Sequence, residues 1–169
     1  VTLTDDLNEL YKKDILALPG VGSFPNGIKE LRKRNLVDFL KNYISESRPL
    51  IGICLGMQML FEEGHEFEKT QGLNLIKGCV KKMDNDIPKD SEMLIPHIGW
   101  EEVYTKNNDY QELIKYQYFV HSYTATDVND EEILYSFNYF SKKFVAAIKS
   151  NSIIAFQFHP ERSGLEGKR

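Results

Sequence analysis

Two short segments of this chain carry residue types that can do covalent chemistry. The first is Gly52-Ile53-Cys54-Leu55-Gly56, which follows the apolar residues Leu50 and Ile51 and leads into Met57-Gln58-Met59-Leu60-Phe61, a good helix former. The pattern predicts strand, tight turn and helix, with Cys54 at the apex and a glycine two residues to either side. Such an apex residue sits in a strained backbone region, and flanking residues without Cβ let the neighbouring chain pass closely. The thiol would then stand at a helix N-terminus, where free N–H groups and the dipole favour the nucleophilic thiolate. By itself the pattern equally describes a buried cysteine at a strand end.

The second segment is Gln157-Phe158-His159-Pro160-Glu161, at the end of the apolar strand Ile153-Ile154-Ala155-Phe156. A histidine with a carboxylate two residues on can supply a base and the group that orients it. His159 would face Cys54 while Glu161 accepts the other ring N–H, fixing the tautomer and stabilising an imidazolium. Alone, the pair also fits a surface turn. Cys54 and His159 meet only if their two strands end at the same edge of one sheet.

Attack on an acyl group also needs donors for the developing oxyanion. The N–H of Leu55 is one. Pro19-Gly20-Val21-Gly22-Ser23 reads as a loop closing the strand Asp14–Leu18, and it offers a second donor from Val21 or Gly22. A plain turn has the same composition. As a phosphate cradle the loop lacks the lysine and the length.

The elements that must position these groups follow from the rest of the chain. Its 169 residues, 41 % apolar and 27 % charged, suit one soluble domain over 1–169 with its own core. A net charge of −4 gives no reason to expect nucleic acid or an anionic membrane as partner. Asp5 or Asp6 can cap a short helix through Leu7, Leu10 and Tyr11. Ile28, Leu31, Leu36, Leu40, Tyr43 and Ile44 keep helical spacing over one or two helices to Ser47. Six strands rich in β-branched and aromatic residues are expected after Gly72: Lys77–Met83, Gly99–Tyr104, Tyr116–His121, Glu132–Asn138, Phe144–Lys149 and Ser152–Gln157. Turn-forming clusters such as Asn107-Asn108-Asp109 separate them, and Lys81–Glu92 is expected to be a solvated charged loop. The predicted fold is α/β: a mostly parallel sheet flanked by helices, with an antiparallel β extension. Its last strand is apolar enough to be buried on both faces. The carboxyl ends of the parallel strands would hold the ligand. A short strand-like piece opens the chain at Val1, and both ends are expected to be cut. Cys54 and Cys79 match no zinc spacing, and a reducing, cytoplasmic setting would keep Cys54 free. No His-x-His or Cys-x-x-Cys spacing supports a metal at His65, His97 and His121.

These residues resemble the class I (triad) glutamine amidotransferases, whose nucleophile and His/Glu motifs correspond to Gly52–Gln58 and Phe156–Glu161. Pro19–Phe24, Pro96-His97-Ile98-Gly99-Trp100 and Tyr118-Phe119-Val120-His121-Ser122-Tyr123 narrow the likeness to the glutaminase subunits of imidazole glycerol phosphate synthases. It runs from Leu18 to Gly167. The family's opening strand, its Asp-Tyr-Gly segment and its last helix are absent here. Arg162 stands where lysine is more usual.

The resemblance implies that Cys54 attacks the side-chain amide of L-glutamine, His159 protonates the departing ammonia, and Glu161 orients His159. Leu55, Val21 and Gly22 would form the oxyanion hole; Gly22, Gln58, Ser122 and Tyr123 would hold the glutamine. Without the family, Gln58 reads as a solvent-facing helix residue. Ammonia would pass to a (β/α)₈-barrel cyclase subunit in a heterodimer serving histidine biosynthesis, with His97, Trp100, Tyr118 and Arg162 at the interface. No cofactor and no metal are implied. Three other readings compete. A paralogue could feed a sugar-modifying synthetase, the chain could be a stand-alone Cys-His-Glu hydrolase, or it could be a non-catalytic partner subunit, which would have no need of an intact triad.

Overall fold

The computed structural model describes residues 1–84, 93–107, 110, 115–140 and 142–168. Its centre is a seven-stranded sheet in the order β1-β2-β11-β10-β9-β6-β7, made of Leu16–Gly20, Leu50–Cys54, Ile153–Phe156, Lys142–Ser150, Ile133–Tyr139, His97–Tyr104 and Tyr116–His121 respectively. β1, β2 and β11 run parallel, and every later pairing is antiparallel. That is the expected parallel sheet with an antiparallel extension. The parallel part is smaller than the extension because only β1 and β2 have a helical crossover between them.

The crossover is built from α2 (Phe24–Lys33) and α3 (Leu36–Ser45), preceded near the N-terminus by α1 (Leu7–Tyr11). Asp6 caps α1, its carboxylate accepting from the N–H groups of Asn8 and Glu9. α2 and α3 part at Asn35, which takes a left-handed φ of 57°, a conformation asparagine tolerates better than most side chains. Ile28, Leu31, Leu40 and Tyr43 pack from these helices onto Leu16, Leu50 and Ile153 in one core. A second core lies under the antiparallel strands, around Phe119, Phe137, Phe144 and Phe158.

Several expectations need correction. Residues 1–6 form no strand. β1 runs to Gly20, so the glycine-rich segment is loop only from Val21. The helix after Cys54 stops at Gln58 as the four-residue α4, Leu55–Gln58. The chain then turns into β3 (Phe61–Gly64), part of a second sheet with β4 (Thr70–Gln71), β5 (Ile76–Lys82) and β8 (Tyr123–Thr126) in the order β4-β3-β5-β8. Tertiary pairing overrides helix propensity here: the Leu60 carbonyl accepts from the N–H groups of Leu75 and Ile76. β11 is not covered on both faces, because Ile154 is 36 % exposed. Of the expected charged loop, Lys81 and Lys82 belong to β5 and residues 85–92 lie outside the described set, as do Asn108 and Asp109 of the expected turn. Among the described residues, no helix is long and apolar enough to cross a membrane.

Candidate active site

Cys54 ends β2 with φ 53° and ψ −112°, a strained conformation for a residue with a side chain. Its neighbours explain how the turn fits. A Cβ on Gly56 would overlap the Leu18 carbonyl, and one on Gly52 would come within 2.9 Å of Ala155 Cβ. β2 is flanked in register by both parallel neighbours, with Gly20 opposite Cys54 and Phe156 opposite Ile53. The two strands that carry Cys54 and His159 are therefore adjacent and end at the same edge.

His159 follows β11 and is held from β7. Its N–H donates to the Tyr118 carbonyl at 2.9 Å. The Ser163 hydroxyl accepts from the Tyr118 N–H at 3.0 Å and donates to the His159 carbonyl at 2.7 Å. The His159 Nδ1 lies 2.7 Å from Glu161 Oε1. A carboxylate only accepts, so Nδ1 carries a proton, and in the neutral ring Nε2 keeps a lone pair. Nε2 is buried without a hydrogen-bond partner, an available base inside the protein.

The thiol departs from expectation. Burial pushes Cys54 up to about 11, against the opposing Leu55 N–H, and the negative charge of Glu161 adds to the rise. The dipole of a four-residue helix is too small to offset the desolvation of a cysteine that is 8 % exposed. The resting sulfur is a thiol, and His159 must take its proton as substrate enters. Alkylation of Cys54 by iodoacetamide in the uncomplexed chain should rise roughly tenfold per pH unit between about pH 8 and pH 10, because only the thiolate reacts. Peptide mass spectrometry separates it from Cys79. A rate that has levelled off by about pH 7 would show an acidic thiol instead.

Cys54 and His159 open on one cleft of about 350 Å³, a size for a small molecule. Val21, Gly22, Leu55, Gln58, Ser122 and Tyr123 also line it. Gly22 has φ 105° and open space around it, leaving that peptide free to present its N–H. Gln58 is buried, not solvent-facing, and both its amide hydrogens are used: Nε2 donates to the Tyr123 carbonyl at 2.9 Å and to Gln157 Oε1 at 3.0 Å. Gln157 in turn points Nε2 at Cys54 Sγ, 3.9 Å away.

Three contributors escaped sequence reasoning. Gln157 was visible only as part of the His/Glu motif. Ser163 gave no signal. Glu66 lines the cleft and accepts from the Phe24 N–H at 2.7 Å; in sequence it is one of several acidic residues between Glu62 and Glu68, indistinguishable from solvated charge.

Beside the cleft, the outer face of β6 and β7 carries Ile98 opposite Val120 and Trp100 opposite Tyr118. Trp100 is 52 % exposed and meets the Tyr118 ring edge-on at 5.8 Å. The Arg162 guanidinium lies over that ring at 4.6 Å, and Arg162 also lines the cleft. His97 does not belong to this face. Strand alternation turns it inward, where it is 1 % exposed among Phe119, Phe137 and Tyr139. Among the described residues, no three His, Cys, Asp or Glu side chains converge on a metal position.

Comparison with known proteins agrees with this geometry. Residues 1–169 match the glutamine amidotransferase class-I family. The imidazole glycerol phosphate synthase subunit HisH of Lactococcus lactis subsp. lactis is 41 % identical, with 99 % of this chain and 81 % of that protein covered. The HisH subunit of Thermotoga maritima is 39 % identical over 96 % of this chain and 74 % of its own length. A crystal structure of a glutamine amidotransferase superposes with a TM-score of 0.73 over 98 % of this chain and 80 % of that one, at 17 % identity, a likeness of fold alone.

Proposed function

Because this chain belongs to the class-I glutamine amidotransferase family, we propose that it is the glutaminase subunit of an imidazole glycerol phosphate synthase. The observation that carries the reading is the meeting of the Cys54 elbow and the His159–Glu161 pair on one small cleft, in a chain so similar to HisH subunits.

The reaction follows from the residues. As glutamine fills the cleft, His159 Nε2 takes the Cys54 proton and Sγ attacks the side-chain amide carbon. The N–H of Leu55 and that of Val21 or Gly22 hold the oxyanion. His159 returns the proton to the amide nitrogen, ammonia leaves, and a γ-glutamyl thioester remains. Water activated by His159 then releases glutamate and restores the thiol. Gln58, Ser122 and Tyr123 shape the substrate pocket, and Glu66 offers a carboxylate for the α-ammonium group.

Ammonia passes to a (β/α)₈-barrel cyclase subunit docked over the cleft mouth, with Trp100, Tyr118 and Arg162 in the contact. Aromatic residues and arginine are the types that anchor such interfaces. A cytoplasmic setting follows from this role. A paralogous acceptor, a sugar-modifying synthetase, uses the same triad; the two are separated by which synthase co-purifies.

The isolated chain is expected to be a poor glutaminase. Glycine takes φ > 0 about as readily as φ < 0, so the Val21–Gly22 peptide can turn its N–H away from the cleft, and losing one oxyanion donor costs roughly 3–4 kcal/mol, or two to three orders of magnitude in rate. A partner that biases this peptide restores turnover. Glutamate release should rise by about that factor when the barrel subunit and its ligand are added. Equal turnover with and without them would favour a stand-alone hydrolase.

A further inference from the structure

A run of hydrogen bonds leads from β6 to the nucleophile. Glu101 Oε1 lies 3.0 Å from His97 Nε2, His97 Nδ1 lies 3.5 Å from His121 Nε2, and His121 Nδ1 lies 2.8 Å from the Tyr123 carbonyl oxygen. That carbonyl is the one that also accepts from Gln58, which bonds Gln157, whose amide points at Cys54. Both histidines are buried, at 1 % and 7 % exposure, and neither takes part in the chemistry described above.

The proton positions are set from the two ends. The Tyr123 carbonyl only accepts, so His121 carries its proton on Nδ1 and turns a lone pair on Nε2 toward His97. Glu101 only accepts, so His97 carries a proton on Nε2. With His121 neutral, all three contacts hold together only when His97 has a second proton on Nδ1, balanced by Glu101. Without it two lone pairs face each other across the longest of the three contacts.

We propose that His121 is a positioning residue for the glutamine site, fixing through the Tyr123 carbonyl the Gln58–Gln157 amide pair set against Cys54, and that His97 and Glu101 brace it when His97 carries its second proton. The inference rests on the glutaminase reading of that site. A carbonyl pinned from two sides cannot rotate, so the strand turn at Ser122 and Tyr123 keeps its shape in an empty cleft. The groups packed on the histidine pair are Glu101 from β6, Phe119 from β7, and Phe137 and Tyr139 from β9; a protonated His159 after β11 would oppose a charge on His121. Burial lowers His97 below its ordinary value while Glu101 opposes, and burial takes His121 down to about 3. The second proton on His97 is therefore bound at low pH and lost as pH rises through a midpoint below the ordinary value. Removing the Glu101 charge moves that midpoint lower still.

The test uses the chain with its barrel subunit for turnover and the ¹⁵N-histidine-labelled chain for ring-nitrogen NMR. His121→Leu should raise KM for glutamine about tenfold, the loss of one hydrogen bond, with a smaller change in kcat. His121→Asn keeps a donor near the Nδ1 position and should stay within about threefold of wild type. In the spectra His121 should be protonated on Nδ1 throughout, and Glu101→Gln should lower the pH at which His97 Nδ1 gains its proton. An unchanged KM in His121→Leu, equal damage from His121→Asn, or a His97 midpoint indifferent to Glu101→Gln would overturn the proposal. Absence of glutamate release from the wild-type complex would instead reject the glutaminase reading, while the ring-nitrogen shifts would still decide the proton positions.

Discussion

Cys54→Ala is expected to reduce glutamate release to background, a loss of at least about three orders of magnitude, because removal of a nucleophile leaves only binding and oxyanion stabilisation. The fold should survive the change. Cys54 closes β2 with a backbone held in register on both sides, and losing the sulfur removes little volume from a cleft wall. Added ammonia should still support the partner's reaction, since the nucleophile serves only to generate ammonia. Glutamate release and the ammonia-dependent reaction, measured on one preparation, check both statements. Near wild-type release would assign the chemistry elsewhere. Loss of both reactions would point to a folding or docking defect.

Glu161→Gln should cost at least about two orders of magnitude in turnover with little change in KM. The carboxylate fixes the Nδ1–H tautomer of His159 and stabilises the imidazolium formed when the thiol is deprotonated. An amide keeps the size and loses the charge. Removing the carboxylate from a hydrolase triad costs about 10⁴ where that group is buried. The Glu161 side chain is 56 % exposed, so water already screens part of its charge and a smaller loss is expected here. Turnover within threefold or so of wild type would make Glu161 a structural residue.

The parts of this molecule legible in sequence are those where local patterning and the chemistry agree. The strand–elbow–helix motif around Cys54 was readable from its paired glycines, and the fold supplies the atoms they make room for, on Leu18 and Ala155. The strands of the antiparallel extension were readable to within about two residues, from β-branched and aromatic composition. β3, β4 and β8 were not. They are short, two of the four β3 residues are glutamates, β4 has two residues, and β8 pairs with β5, far off in sequence. The elevated Cys54 thiol was hidden for a related reason: a helix N-terminus is a local feature, whereas desolvation depends on everything packed around it. His97 shows the limit from the other side. Its motif suggested a surface role, and the pleat of β6 turns it into the core while its neighbour Ile98 faces out.

The most direct test of a glutaminase acting through Cys54 is covalent trapping. The chain, in complex with the proposed barrel subunit, is incubated with a diazo-ketone analogue of glutamine and digested, and the adduct is located by peptide mass spectrometry. One adduct is predicted, on Cys54, forming in step with the loss of glutamate release and blocked by excess glutamine. An adduct on Cys79, or full inactivation with Cys54 unmodified, would contradict the account.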